Sequence, residues 1–155
     1  MADAAQALVR AFADRRLTFG TAESLTGGMI AAAVASVSGA SAVLMGGIVA
    51  YDPSIKRDVL GVSQQVIDAV GVVSAECARG MALGARRVLG VDVAVSATGI
   101  AGPTGGTADT PVGTVFIGCA GPNGVRVEEC RFTGDRQSVR AQAAQHALEM
   151  ALDCI

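Results

Sequence analysis

The sequence predicts a three-layer α/β/α domain with a mixed, mostly parallel sheet and one antiparallel hairpin. Three observations predict it. Residues 42–51 and 91–97 are apolar runs without polar alternation, which is how strands read when helices cover both faces of their sheet. Stretches with helical spacing lie between the strand-like runs. Gly121-Pro122-Asn123-Gly124 separates two strand-like segments, as a hairpin turn does.

The elements follow in order. Residues 3–15 predict a helix with Leu8, Val9 and Phe12 on one face. Residues 17–22 predict a short strand entering Glu23-Ser24-Leu25-Thr26-Gly27-Gly28, and Thr26 is placed to cap an Ala-rich helix over 27–37. Ser38-Gly39-Ala40-Ser41 ends that helix, and 42–51 form a second, buried strand. Asp52-Pro53 starts a short helix to about 60 with Pro at its first position. Ser63 caps another to about 70, and Ser74 opens a longer one through 89. Residues 91–97 are a buried strand followed by the loop Thr98-Gly99-Ile100-Ala101-Gly102-Pro103-Thr104-Gly105-Gly106. Segments 112–120 and 124–132 form the hairpin, with Cys119 facing Arg126, and Asp135 begins a final helix to about 153. No repeat, linker or low-complexity segment divides residues 1–155, which read as a single domain.

Composition excludes several classes. With 51% hydrophobic and 17% charged residues in 155, the chain is the reverse of a disordered composition. A net charge of −2 and five aromatic residues leave no basic, stacking face for nucleic acid. Cys77, Cys119, Cys130 and Cys154 form no C-x-x-C and are read as lying apart from His146, so no metal site is expected; free thiols in a reducing compartment are. No charge occurs in the 28 residues from Ser24 to Tyr51, a length that could span a bilayer. Interruptions at Gly27-Gly28, Ser36, Ser38-Gly39, Ser41 and Gly46-Gly47 favour a buried helix and strand instead. The start, Met1-Ala2-Asp3-Ala4-Ala5-Gln6, lacks the basic and apolar regions of a signal peptide, which predicts a cytoplasmic protein.

In an open α/β sheet, sites form beyond the carboxyl ends of strands. Three such ends are rich in small polar residues: 23–28, 51–56 and 98–106. Glycines there let backbone N–H groups approach a phosphate or carboxylate, although tight crossovers use the same residues. Neither glycine-rich stretch is a P-loop or a dinucleotide fingerprint. Eleven of the twelve basic residues are Arg; the one Lys is Lys56, and the one Tyr is Tyr51. Lysine can lose its proton when desolvated and arginine effectively cannot, so Lys56 is a candidate base; a stray surface lysine is the alternative. His146, in an Ala/Gln-rich helix, reads as a structural or surface residue, and no Ser-His-Asp set is convincing. A serine hydrolase can then use Lys as its base, with the Tyr51 hydroxyl relaying a proton or positioning a carbonyl.

At these residues the chain resembles a known family. Thr21 to Gly28, Gly39-Ala40-Ser41-Ala42, Tyr51 to Lys56, Thr98 to Pro103, Pro111 to Val115 and Phe132 to Arg136 are similar to the C-terminal domain of CinA, the competence/damage-inducible protein. Stand-alone versions of that domain are nicotinamide-nucleotide amidohydrolases. The resemblance implies hydrolysis of the carboxamide of nicotinamide mononucleotide (NMN) to nicotinate mononucleotide and ammonia, with no cofactor. It maps catalytic Ser, Tyr and Lys onto Ser41, Tyr51 and Lys56, puts Thr98 at the reacting centre, and brings Arg136 to the substrate; backbone N–H groups near Thr98-Gly99 are expected to stabilise the oxyanion. Glu23, Ser24, Thr26, Gly27 and Gly28, with the 99–106 loop, are expected to hold phosphate or ribose. Leu25 departs from the family's frequent Cys, which argues against a cysteine nucleophile there; Ala40 stands where a second Ser is common. The pyrophosphatase activity of the longer proteins' N-terminal domain is not carried over.

One geometric difficulty accompanies this assignment. If 42–51 were one straight strand, Ser41 and Tyr51 would lie roughly 33 Å apart, at about 3.3 Å per residue. Either Gly46-Gly47 bends the segment, or Ser41 folds back, or the site is shared between subunits. The apolar run and low charge predict a homo-oligomer. Competing readings are a nucleotide-binding sensor without turnover, an interaction domain linked to DNA uptake or recombination, and a cysteine amidase using Cys77 or Cys119.

Overall fold

The computed structural model describes all 155 residues. The predicted helix positions persist with small shifts: α1 is Ala2–Arg15, α2 Met29–Ala35, α3 Pro53–Asp58, α4 Gln64–Val70, α5 Ala75–Leu89 and α6 Arg136–Asp153. The strands are β1 Phe19–Glu23, β2 Leu44–Val49, β3 Val93–Gly99, β4 Thr114–Gly121 and β5 Gly124–Arg131. They form one mixed sheet in the order β2-β1-β3-β4-β5. β2, β1 and β3 run parallel, and β4 and β5 complete the sheet antiparallel. Gly121 pairs with Gly124 across Pro122-Asn123, and Cys119 opposes Arg126, the register the turn chemistry predicts.

Two apolar clusters cover the two faces. α1, α2 and α6 pack Leu8, Phe12, Ile30, Val34, Ala147 and Leu148 against Phe19, Val95 and Ile117. On the other face Leu60, Val62, Cys77, Met81 and Ala85 pack against Ala22 and Ala94. Every residue of β1, and all but the last of β3, is buried, as their unbroken apolar character predicts. Close approach fixes the second layer. A Cβ on Gly84 of α5 would lie 2.0 Å from the Leu60 carbonyl oxygen, so only glycine lets the segment after α3 seat against α5.

Three local expectations change. The residues read as a buried strand over 42–51 form a shorter edge strand, whose alternate residues Met45, Gly47 and Val49 are exposed because that face of the strand is incompletely covered. Thr26 does not cap α2. Gly27 and Gly28 take positive φ (60° and 98°), the helix starts two residues later than read, and Gly28 is its N-cap without a side-chain bond. The cap comes from the preceding strand instead: the Glu23 carboxylate accepts from the N–H groups of Gly28, Ile30 and Ala31 at 3.0, 3.0 and 2.9 Å. The uncharged stretch is thus a loop, a seven-residue helix, a turn and an edge strand, and no helix is long and apolar enough to cross a membrane.

Candidate active site

The parallel strands β1, β2 and β3 end together, and their following segments meet there. After β2, Asp52 accepts from the Ser54 N–H (2.8 Å) and hydroxyl (2.6 Å), capping α3 with Pro53 at its first position. One turn on, α3 turns the side chain of Lys56 inward, where it is 1% exposed. Its ammonium nitrogen has three partners: the Ala50 carbonyl at 2.6 Å, the Tyr51 carbonyl at 3.2 Å and Ser24 Oγ at 3.0 Å. It forms no salt bridge, and burial holds its pKa below the ordinary lysine value of 10.5 against weaker opposing effects of Cys77 and Asp52.

Those three partners match the three N–H bonds of an ammonium, and once a proton is lost they also fit an uncharged amine. Its two N–H bonds donate to the two carbonyls, and its lone pair is left to accept the Ser24 hydroxyl proton. An ammonium there would instead donate to Ser24 and leave no acceptor for that proton. Ser24 follows β1 directly, and its N–H donates to the Ala97 carbonyl at 2.9 Å, which fixes it against β3.

Ser24 also opens a turn in which the Gly27 N–H donates to the Ser24 carbonyl at 3.1 Å. The N–H groups of Leu25 and Thr26, inside that turn, make no hydrogen bond within the protein. Arg140 of α6 donates to the Leu25 carbonyl at 2.8 Å and to the Thr26 carbonyl at 3.1 Å. The Leu25 carbonyl and the Thr26 N–H belong to one planar trans peptide and point in opposite directions. Arg140 therefore turns the Thr26 N–H away from itself. Two N–H groups left free directly after a serine hydroxyl are donors of the kind that an oxyanion hole uses.

The remaining candidate residues are placed as follows. Ser41 lies in a 3-10 turn (Ala40–Ala42) ahead of β2, at the opposite end of that strand from Lys56. Gly46 and Gly47 continue the strand, paired with Gly20 and Thr21, so neither a bend nor a fold-back brings Ser41 round. Leu44 and Val49 alone lie roughly 17 Å apart at about 3.3 Å per residue. Tyr51 offers Lys56 its carbonyl; its side chain is 59% exposed, and its hydroxyl accepts from Arg136 at 3.0 Å. Arg136 also donates to the Gly102 carbonyl at 2.9 Å, strapping the loops after β2 and β3 to the start of α6. Thr98 is buried and donates to the Val72 carbonyl at 2.6 Å, and Gly99 closes β3, where a Cβ would meet the Thr114 carbonyl oxygen at 2.6 Å. The Glu23 carboxylate faces Thr21 and the start of α2, with all its bonds used inside the protein. Thr26 Oγ1 is buried without a partner. Leu25 packs in the core, which accounts for an apolar residue at that position.

Sequence reasoning missed Arg140 and the pairing of Ser24 with Lys56. An arginine on the far helix carries no local signal of the carbonyls it grips. It also missed that Cys130 lies beside His146, contrary to the reading that kept the cysteines apart from that residue. The four thiols are free, and burial pushes Cys77 and Cys119 up, which weakens either as a nucleophile.

The family model for the CinA C-terminal domain matches residues 1–155. A CinA-like protein of Thermotoga maritima is 44% identical over 144 residues, 93% of this chain and 35% of that protein. The chain thus spans about a third of the length of such relatives. The nicotinamide-nucleotide amidohydrolase PncC of Enterobacter agglomerans is 48% identical over 132 residues, 84% of this chain and 80% of that one. Among solved structures, the competence/damage-inducible protein CihA of Agrobacterium tumefaciens superposes with a TM-score of 0.97 at 39% identity, covering 99% of this chain and 94% of that one. A CinA superfamily protein of Escherichia coli gives 0.95 at 32% identity, covering 99% and 89%.

Proposed function

The chain belongs to the CinA C-terminal domain family, and from that premise we propose that it is an amidohydrolase that converts NMN to nicotinate mononucleotide and ammonia. The observation that carries the reading is the buried Lys56 amine, unpaired by any acid and 3.0 Å from the Ser24 hydroxyl. Its similarity to a nicotinamide-nucleotide amidohydrolase over most of both chains supplies the substrate.

In this mechanism neutral Lys56 takes the Ser24 hydroxyl proton as Oγ bonds to the carboxamide carbon. The oxyanion settles against the Leu25 and Thr26 N–H groups; one such donor is typically worth about 3 kcal/mol. The Lys56 ammonium then protonates the amide nitrogen, the C–N bond breaks and ammonia leaves. Water attacks the ester, giving its proton to Lys56, and Ser24 leaves with that proton as nicotinate forms. Ser24 takes the nucleophile's role here in place of Ser41 because only Ser24 reaches the base within one chain. Arg136 supplies donors for the phosphate, with Tyr51 and Thr98 bounding the site. A homo-oligomer remains part of the proposal, supported by Met45 and Val49 exposed on the unpaired edge of β2.

Ammonia release from NMN by wild type, Ser24→Ala and Ser41→Ala tests it. Ser24→Ala should lose at least about 10³-fold in kcat, and Ser41→Ala should stay within about twofold. The reverse result would return the nucleophile to Ser41 and to a site shared between subunits. NMN binding with no ammonia release by wild type would establish the sensor reading instead.

A further inference from the structure

A second cluster of reactive side chains sits across the sheet from β2. Glu128 and Cys130 are alternate residues of β5 and leave the same face of that strand. His146 of α6 meets them, its Nε2 2.6 Å from Glu128 Oε2. The carboxylate oxygen, the Cys130 sulfur and the imidazole nitrogen all lie within 4.8 Å of one another, and all three residues are half-buried.

We propose that Glu128, Cys130 and His146 form a Zn²⁺ site, with water in the fourth position. The donor set points to this class of ion: a thiolate and an imidazole favour zinc or cobalt over magnesium or calcium, which prefer oxygen. Metal–ligand bonds of about 2.0–2.3 Å place tetrahedral ligand atoms roughly 3.3–3.8 Å apart, within the reach of these groups. Arg126 pairs with Glu128 Oε1, which leaves Oε2 turned to His146. Phe132 packs edge-on to the imidazole, ring centroids 6.2 Å apart, and holds its plane. A cleft of about 470 Å³ lined by Phe132, Gln142, Gln145 and His146 opens beside the imidazole.

On binding, the ion replaces the proton between Nε2 and Oε2, with the imidazole hydrogen carried on Nδ1. The thiol releases its proton to solvent. Carboxylate and thiolate together neutralise the dication. The ion would tie the edge strand β5 to α6 and stabilise the folded chain, because the unfolded chain does not hold the three ligands together.

Titration of the full chain with Co²⁺ and Zn²⁺ tests the site. One equivalent of Co²⁺ should give a thiolate-to-metal charge-transfer band in the near ultraviolet, and Zn²⁺ should abolish it by displacement and raise Tm. Cys130→Ser should lose the band, and His146→Gln should weaken binding at least tenfold. Cys154→Ser, altering the other half-buried thiol, should keep it, as should Ser24→Ala. Metal-free melting curves of all variants close to wild type establish that folding is intact. Absence of the band in wild type at stoichiometric metal, or its persistence in Cys130→Ser, would overturn the proposal.

Discussion

Lys56 Nζ lies 3.0 Å from Ser24 Oγ across 32 positions of sequence, and neither group touches an acid. An amine held this way, without a counter-charge, is costly to protonate. That cost lowers its affinity for a proton below that of an ordinary lysine, the direction a base requires.

Lys56→Arg should abolish ammonia release, by at least about 10³-fold, because a guanidinium does not give up its proton. Lys56→Met should be as inactive, and it removes the donor for the Ala50 and Tyr51 carbonyls. The buried Ala50 carbonyl left without a partner costs about 1–3 kcal/mol, so this variant should also melt lower. Near-normal turnover by Lys56→Arg would remove Lys56 as the base.

The pH dependence has a defined sign. The base works only when neutral, so kcat/KM should rise with pH through a pKa below 10.5 and level off above it. Stability should move the same way. Between the lowered folded value and 10.5 the unfolded chain binds more protons, so stability falls as pH drops through that window and is flat below it. Denaturant midpoints of wild type and Lys56→Met across pH 7–11 check this: the variant should lose the contribution.

Arg140→Ala should lower kcat by about 10–100-fold with little change in KM. Deleting an oxyanion donor outright costs about 10²–10³ in kcat, and Arg140 orients the donor without supplying it. Arg140→Lys should recover only part of the loss, since one ammonium does not reproduce the two-pronged grip on the Leu25 and Thr26 carbonyls. A change confined to KM would assign Arg140 to substrate binding instead.

Glu23→Gln should destabilise the fold by about 2–4 kcal/mol, read as a drop in Tm. A carboxylate accepts from three N–H groups and the Thr21 hydroxyl; an amide turns a second donor toward them. An unchanged Tm with raised KM would return Glu23 to the substrate.

Much of the fold was legible because its causes are local. Ser63, Ser74 and Asp135 cap the helices they precede, and each accepts the backbone N–H that an N-cap should. Thr26 misled because two glycines with positive φ displaced the helix start, and Glu23 reached across to cap it. Cys130 and His146 looked unrelated because β5 and α6 meet only after the chain reverses.

For the site, residue chemistry alone singled out Lys56 and Tyr51, and family resemblance added Ser41, Thr98 and Arg136. The sequence by itself determined which groups could do chemistry, since a lone lysine among arginines and small polar residues at strand ends are properties of residue type and spacing. Which of them meet was decided only by the tertiary structure. Parallel strand order brings Ser24 to Lys56 and leaves Ser41 at the other end of β2, and removal from water is what lowers the affinity of that amine for a proton.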